Sequence, residues 1–281
     1  MDTWLIVLII IAASLLFLFG MYILLIAPRV SKKEEMRAFC RVRYAHRGLH
    51  SDGKPENSIA AFEAAVQAGY GIELDVRLSK DGELVVFHDD TLDRMTGEVG
   101  RVDARTLAEL KEIKLAGTEF VIPTFREVLD LVDGRVPLLV ELKEDAGKLG
   151  VTRAAVEMLK KYKGEYIIES FNPLAIAEVK KLSNSTLRGV LSQNFLEIPE
   201  YKKPLYAILS ALLLNVVARP DFIAFDHKGY KNASLKLIKG LFKTPCLSWT
   251  TRSEGEDRAA LAHGFDSVIF EKYTPCKEIK E

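Results

Sequence analysis

From about Val42 onward, short apolar strands alternate with helical stretches, and few architectures accept that rhythm. Strands are expected at residues 43–45, 71–77, 84–88, 137–142, 166–171, 188–192, 222–226, 245–249 and 266–270. Between most of them apolar residues recur at helical spacing, as in 58–68 and 152–162. Parallel strands need a crossover of that length, and a helix is the usual one. The pattern predicts an α/β fold, a TIM (β/α)8 barrel with one extra strand left over from a hairpin. A doubly wound open sheet is the alternative. No GxGxxG or GxxxxGK[ST] follows a strand, so the usual nucleotide-binding signatures are missing.

One stretch breaks the alternation. Residues 71–89, GIELDVRLSKDGELVVFHD, read as strand, tight turn and strand. The connection is too short for a parallel crossover and suits a hairpin. A simple four-residue turn pairing Ser79 with Gly82 sets Asp75 opposite Val86 and Glu73 opposite His88. Two carboxylates and an imidazole then share one face. A bulge would move this register by one.

At 281 residues and 48% hydrophobic, the chain can bury a sizeable core. Its 39 Lys and Arg balance 39 Asp and Glu, so no basic excess points to nucleic acid as a partner. Cys40, Cys246 and Cys276 are odd in number and lack CxxC spacing, which disfavours a disulfide framework or a zinc cluster and leans towards a reducing compartment.

Residues 5–27 carry no charge and are long enough to span a bilayer as a helix, with Trp4 and Tyr22 near its interfaces. A cleaved signal peptide is the competing reading. The flank MDTW has no Lys or Arg, however, and no convincing small-x-small cleavage site precedes Pro28. An uncleaved single-pass anchor is therefore expected. Arg29, Lys32, Lys33, Arg37, Arg41 and Arg43 follow it and only Asp2 precedes it, which by the positive-inside rule places the C-terminal domain in the cytoplasm. The expected organisation is an anchor at 1–28, a linker at 29–40 and a barrel at 41–281, with an insertion at about 91–122 on the strand-end face. Residues 205–217, LYAILSALLLNVV, are apolar on nearly all sides but too short to span. A buried outer-ring helix is expected there. A helix in the membrane interface, beside Tyr201, Lys202, Lys203 and Tyr206, is the alternative.

Barrel sites lie at the C-terminal ends of the strands. Here those ends supply His46 and Arg47; Glu73, Asp75 and His88; Glu141 and Lys143; and Trp249. Three carboxylates suit a hard divalent cation, Mg2+ or Ca2+, bound through oxygen. Two histidines can serve as general base and general acid. Arg47 and Lys143 are donors of the kind phosphate oxygens require, and Trp249 offers an apolar wall. Together these groups suggest phosphoester cleavage. Lys143 also reads as a salt-bridge partner of Glu141. Glu56 and Asn57 read as caps of the helix starting near Ser58, and His50, His227 and His263 as structural.

His46-Arg47-Gly48, Pro55-Glu56-Asn57-Ser58 with Ala61-Phe62, Glu73-Leu74-Asp75-Val76, Asp81-Gly82, Val86-Phe87-His88-Asp89 and Glu141-Leu142-Lys143 follow one another in order. This set resembles the glycerophosphodiester phosphodiesterase family, from about Tyr44 to Glu271. The resemblance implies a TIM barrel that hydrolyses glycerophosphodiesters to glycerol 3-phosphate and an alcohol. It further implies Glu73, Asp75 and Glu141 as metal ligands and His46 and His88 as the acid–base pair. Arg47 and Lys143 would meet phosphate, and Trp249 would lie near the glycerol. The glycerol 2-hydroxyl would be the internal nucleophile, giving a cyclic phosphate that water opens. Residues 91–122 match the family's insertion. Ser58, Thr251-Arg252 and Phe270-Glu271 depart from its usual residues and are expected to touch the pocket wall and not the metal site. Two other readings stand beside this one. The same chemistry could be directed at lipid, as on a lysophospholipid or phosphatidylglycerol at the bilayer. Alternatively, the barrel could be a membrane scaffold without catalysis.

Overall fold

The computed structural model describes residues 3–145 and 147–276. Its strands are β1 (Tyr44–Ala45), β2 (Gly71–Leu78), β3 (Leu84–Val86), β4 (Leu138–Leu142), β5 (Tyr166–Ser170), β6 (Arg188–Ser192), β7 (Phe222–Asp226), β8 (Cys246–Thr251) and β9 (Ser267–Phe270). Eight of them form a parallel ring in the order β1-β9-β8-β7-β6-β5-β4-β2, closed where Tyr44 of β1 pairs with Gly71 of β2. The fold is a TIM (β/α)8 barrel, and the open sheet is excluded. The ninth strand, β3, lies outside the ring, antiparallel to β2.

The hairpin register differs from the expected one. Val76 faces Val86 and Leu78 faces Leu84, one residue away from the simple-turn pairing. The cause lies in the loop. Ser79 pairs with Glu83, not Gly82; Gly82 sits at φ 86°, and its N–H donates to the Ser79 carbonyl at 3.1 Å. This is a three-residue connection with a left-handed glycine, which adds one residue to the turn. Asp75 therefore stands level with Phe87, whose N–H donates to the Asp75 carbonyl. Beyond Val86 the chain leaves the ladder, and His88 reaches the site from a loop.

The helices are α1 (Thr3–Ile26), α2 (Lys33–Cys40), α3 (Ile59–Ala68), α4 (Asp93–Thr96), α5 (Leu107–Lys111), α6 (Phe125–Val132), α7 (Gly150–Leu159), α8 (Pro173–Leu182), α9 (Pro204–Ser210), α10 (Asn215–Ala218), α11 (Ala233–Leu237) and α12 (Glu254–Ala262). Their starts are written in the sequence. Ser58 caps α3, Thr124 and Glu127 form a capping box on α6, and Asn172 caps α8 ahead of Pro173. The insertion holds α4 and α5 around its own small core of Val85, Phe87, Leu92, Val102, Leu110, Leu115 and Ile122.

Strand alternation divides the main core in two. Outward side chains such as Leu74, Val140, Ile168, Ile223 and Val268 pack under the helices. Inward ones, including Tyr44, Leu139, Ile167, Phe222, Leu247 and Ile269, fill the lower barrel. The stretch read as a linker carries α2, which plugs the barrel's N-terminal end. Met36, Phe39 and Cys40 join the inward cluster, and the Tyr44 hydroxyl donates to the Phe39 carbonyl at 3.1 Å.

Residues 205–217 form two short helices, α9 and α10, and not a single buried one. The chain turns between them at Leu212, with φ 55°, and Leu212 is buried there. Polar side chains fix both pieces. Ser210 accepts from the Phe195 N–H, and Asn215 donates to the Ile26 carbonyl at 3.0 Å. Leu205 and Ile208 remain exposed.

The end of α1 is built into the barrel wall. The Tyr22 hydroxyl bonds Ser234 of α11 at 2.7 Å, Ile26 is fully buried, and the Arg29 guanidinium pairs with the buried Asp221. Residues 3–21 stand exposed beyond it.

Candidate active site

On five staves the inward row changes character along its length. Tyr44 is followed by His46, Leu139 by Glu141 and Lys143, and Ile167 by Glu169 and Phe171. Leu247 is followed by Trp249 and Ile269 by Glu271. A period of two keeps all of these on the barrel's inner face, so an apolar floor supports an ionic top. There His46, Glu141, Lys143, Glu169, Phe171 and Trp249 line a cavity of about 150 Å3 with Arg47, Glu73, His88 and Arg252. A cleft of about 410 Å3 between the insertion and α7 is larger but gathers no histidine.

Glu73, Asp75 and Glu141 are buried, and one oxygen of each lies within 4.8 Å of the others. Lys143 sits among them, 2.7 Å from Glu141 Oε1 and 3.1 Å from Asp75 Oδ1. The salt-bridge reading of Lys143 is thus realised, with two acids and not one. Arg47 and Gly48 both take left-handed conformations, φ 57° and 82°. That tight turn aims the Arg47 N–H at Glu73 Oε2, 2.8 Å away, while a Cβ on Gly48 would meet the Ala61 backbone at 2.9 Å. The Arg47 guanidinium bonds Glu56 at 2.7 Å.

Asn57 does not cap α3. Its amide donates to Asp75 Oδ2 at 2.8 Å, and Glu56 ties Arg47 to Arg94 of the insertion. Ser58 alone does the capping.

Both histidines are oriented through Nδ1. His46 Nδ1 lies 2.8 Å from Glu271 Oε2, and His88 Nδ1 lies 2.6 Å from Asp89 Oδ1. A carboxylate only accepts, so Nδ1 carries the proton in each pair and Nε2 is left for chemistry. Arg252 holds Glu271, and Arg94 holds Asp89. Glu271 was expected on the pocket wall. It is the hydrogen-bond partner of His46. Burial lowers both imidazoles, His88 to about 4, against the upward pull of their acid partners. Each imidazole in the free site therefore gives up its second proton more readily than it would in water.

Burial and mutual repulsion push Glu73 well up, and burial with Asp75 takes Glu141 to about 7. Burial also works against the charge on Asp75, yet Lys143, His88, Arg47 and the Asn57 amide hold it well below the usual carboxylate range. Glu169, unremarked in the sequence, is a fourth buried acid, raised by burial and by Glu141 and Glu73. The donor set fits a hard divalent cation. It is all carboxylate oxygen, its acids repel one another, and buried Asp75 Oδ1 makes no hydrogen bond although Lys143 is near. Trp249 stands edge-on to Phe171, ring centroids 5.4 Å apart, with its buried N–H unpartnered.

Of the residues singled out in the sequence, the fold brings His46, Arg47, Glu73, His88, Glu141, Lys143 and Trp249 around one cavity, with Asp75 beneath. His263 stacks on Tyr230 at 3.6 Å, away from it.

Acids, imidazoles and cations converging at the strand ends of a (β/α)8 barrel make an enzyme site suited to an anionic ester. Comparison with known proteins gives the class more closely. The model of the glycerophosphoryl diester phosphodiesterase family matches residues 46–273. A glycerophosphodiester phosphodiesterase of Caldanaerobacter subterraneus is 34% identical over 241 residues, covering 80% of this chain and 91% of the relative. One from Bacillus subtilis is 30% identical over 250 residues, covering 80% and 81%. Among solved structures, an Oleispira antarctica phosphodiesterase in complex with the product sn-glycerol-3-phosphate aligns with TM-score 0.70 and 27% identity, over 83% of this chain and 94% of that one. The chain belongs to the glycerophosphoryl diester phosphodiesterase family and, with it, to the phosphoric diester hydrolases.

Proposed function

We propose that this protein hydrolyses glycerophosphodiesters to glycerol 3-phosphate and an alcohol, using a divalent cation held by Glu73, Asp75 and Glu141. The observation that carries this reading is the convergence of that triad with two oriented imidazoles on one rim. When bound, the cation, Mg2+ or Ca2+, polarises the phosphoryl oxygens and reduces the charge a nucleophile must approach. Arg47 and Lys143 bind the phosphate, and the unpartnered Trp249 N–H offers a donor to a substrate oxygen. One histidine Nε2 takes the proton of the glycerol 2-hydroxyl as its oxygen attacks phosphorus. The other histidine, doubly protonated in the substrate complex where the phosphate's charge favours the imidazolium, gives its Nε2 proton to the leaving alcohol as the P–O bond breaks, leaving a cyclic phosphate and a neutral imidazole. Water then opens the ring with the two roles exchanged. Tethering of the attacking hydroxyl lowers the entropic part of the barrier.

In the same reading α1 is an uncleaved single-pass anchor and the barrel is cytoplasmic. Support comes from the burial of Ile26 and the Arg29–Asp221 pair, which make the end of α1 part of the domain. The test is release of glycerol 3-phosphate from glycerophosphocholine with Mg2+, Ca2+ or EDTA. Release is expected only with metal, and His46→Ala and Glu73→Ala should each lower kcat by about 10²-fold or more. Metal-independent release would reject the reading, and so would no turnover, with any ion, of either this diester or its 1-acyl form.

A further inference from the structure

The direction of α1 relative to the barrel is set by three contacts. Arg29 pairs with Asp221, which immediately precedes β7 and so lies at the barrel's N-terminal end. Ile26 receives the Asn215 amide partway up the wall. Tyr22 bonds Ser234 in α11, beyond the C-terminal end of β7. Read backwards, α1 therefore climbs the wall towards the catalytic face. Residues 3–21 continue past that face, all of them exposed. At 1.5 Å per residue this projecting part is about 28 Å long, the thickness of a bilayer's hydrocarbon core. A bilayer spanned by it begins level with Tyr22, at the height of the strand ends.

A second, independent feature sits at that height. Leu174, Leu196, Leu205 and Ile208 are large apolar side chains left between about a third and a half exposed. All four follow the C-terminal ends of β5 or β6, and the Ser192 hydroxyl at the end of β6 donates to the Leu209 carbonyl of α9. Leu205 and Ile208 are three apart on α9 and share a face. Lys202 and Lys203 precede them, exposed, as in a segment that meets anionic headgroups. Behind this rim a groove of about 520 Å3 runs from Glu141 and Lys143 past Phe171 to Leu205, Leu209 and Leu214.

We propose that the barrel lies with its catalytic face on the bilayer crossed by α1, dips the α9 rim into the leaflet, and takes from that surface diesters whose acyl chain follows the groove to Glu141. The substrate part rests on the phosphodiesterase reading above; the orientation does not. A diester cleaved by its own neighbouring hydroxyl needs that hydroxyl free, so the matching lipid is a monoacyl glycerophosphodiester.

Two measurements on the full chain in vesicles of phosphatidylcholine and phosphatidylglycerol test this. In the first, a fluorophore is placed at Ile208→Cys, or at Lys163→Cys before β5, each in a Cys276→Ser background. Doxyl-labelled lipid should quench the probe at 208 at least about threefold more than the probe at 163. Equal quenching, or none at 208, overturns the orientation whatever the activity. In the second, 1-acyl-glycerophosphocholine in the vesicle is compared with soluble glycerophosphocholine. The lipid should be preferred by about tenfold in kcat/KM, and Leu214→Trp should lower that preference. Turnover of the soluble diester alone rejects the groove. Turnover of neither, with metal present, rejects the phosphodiesterase reading and leaves the quenching result standing.

Discussion

Glu271 is 225 residues from His46 in the sequence and 2.8 Å from it in the fold. Its carboxylate raises the imidazole's proton affinity against the effect of burial. Glu271→Gln should therefore move the His46 limb of the pH–rate profile to lower pH, whichever proton His46 handles, while Glu271→Asp should leave it nearer its place. Profiles of kcat/KM for the three proteins check this. The acid triad predicts a second pH effect. Glu73 and Glu141 are raised from 4.5, Glu141 to about 7, so the folded state binds more protons there than the unfolded state. Without metal, their contribution to stability is lost as pH rises from about 4.5 through about 7. Tm in EDTA should fall across that window, and added Mg2+ should raise Tm more at pH 8 than at pH 5.5. A metal-induced rise independent of pH would contradict this. Most of the site was legible in the sequence, because period-two spacing puts Glu73 with Asp75 and Glu141 with Lys143 on one face. Glu169 and Glu271 lie on such rows too, but what they and Asn57 meet was not legible in this way. Their roles depend on partners in distant strands or loops, which only ring closure brings within reach.

At the scale of elements, α2 was hidden inside an expected linker. Its charged face, with Lys33, Glu34 and Arg37, masks the few residues that enter the barrel. Met36 is fully buried beneath the inward rows. Met36→Ala should cost about 3 kcal/mol by opening a cavity in the floor. Urea denaturation should show the loss, and kcat in the folded protein should hold, since the floor lies below the ionic layer. The nine strands were readable because buried parallel strands are continuous apolar runs with polar ends. Their register was less so. In the hairpin, one left-handed glycine decided it, and in 205–217 a uniform apolar run concealed a break at Leu212. Apolarity alone does not say where a helix stops.

At the scale of the molecule, α1 and the barrel share a packed boundary. Asp221 is buried and depends on Arg29. Arg29→Met removes the guanidinium paired with that carboxylate, leaving it the Arg188 N–H and the weaker pull of the Arg188 charge, and should destabilise the domain by about 3 kcal/mol. Thermal unfolding of the whole chain reads this directly, and an unchanged Tm would mean that the helix end is not part of the domain. The sequence showed the apolar length of α1 but not this docking, because Tyr22, Ile26 and Arg29 meet partners about 190 to 210 positions away. The closure of the ring, Tyr44 against Ile269, joins the first stave to the last. During synthesis, then, α1 leaves the ribosome before any stave exists, and the seam cannot form until β9 is out. Until that moment the growing sheet carries two unpaired edges, one of them β1, whose strand follows soon after α1. If α1 has already been inserted, the barrel is assembled in place, as an open sheet at the lipid surface whose last strand shuts it.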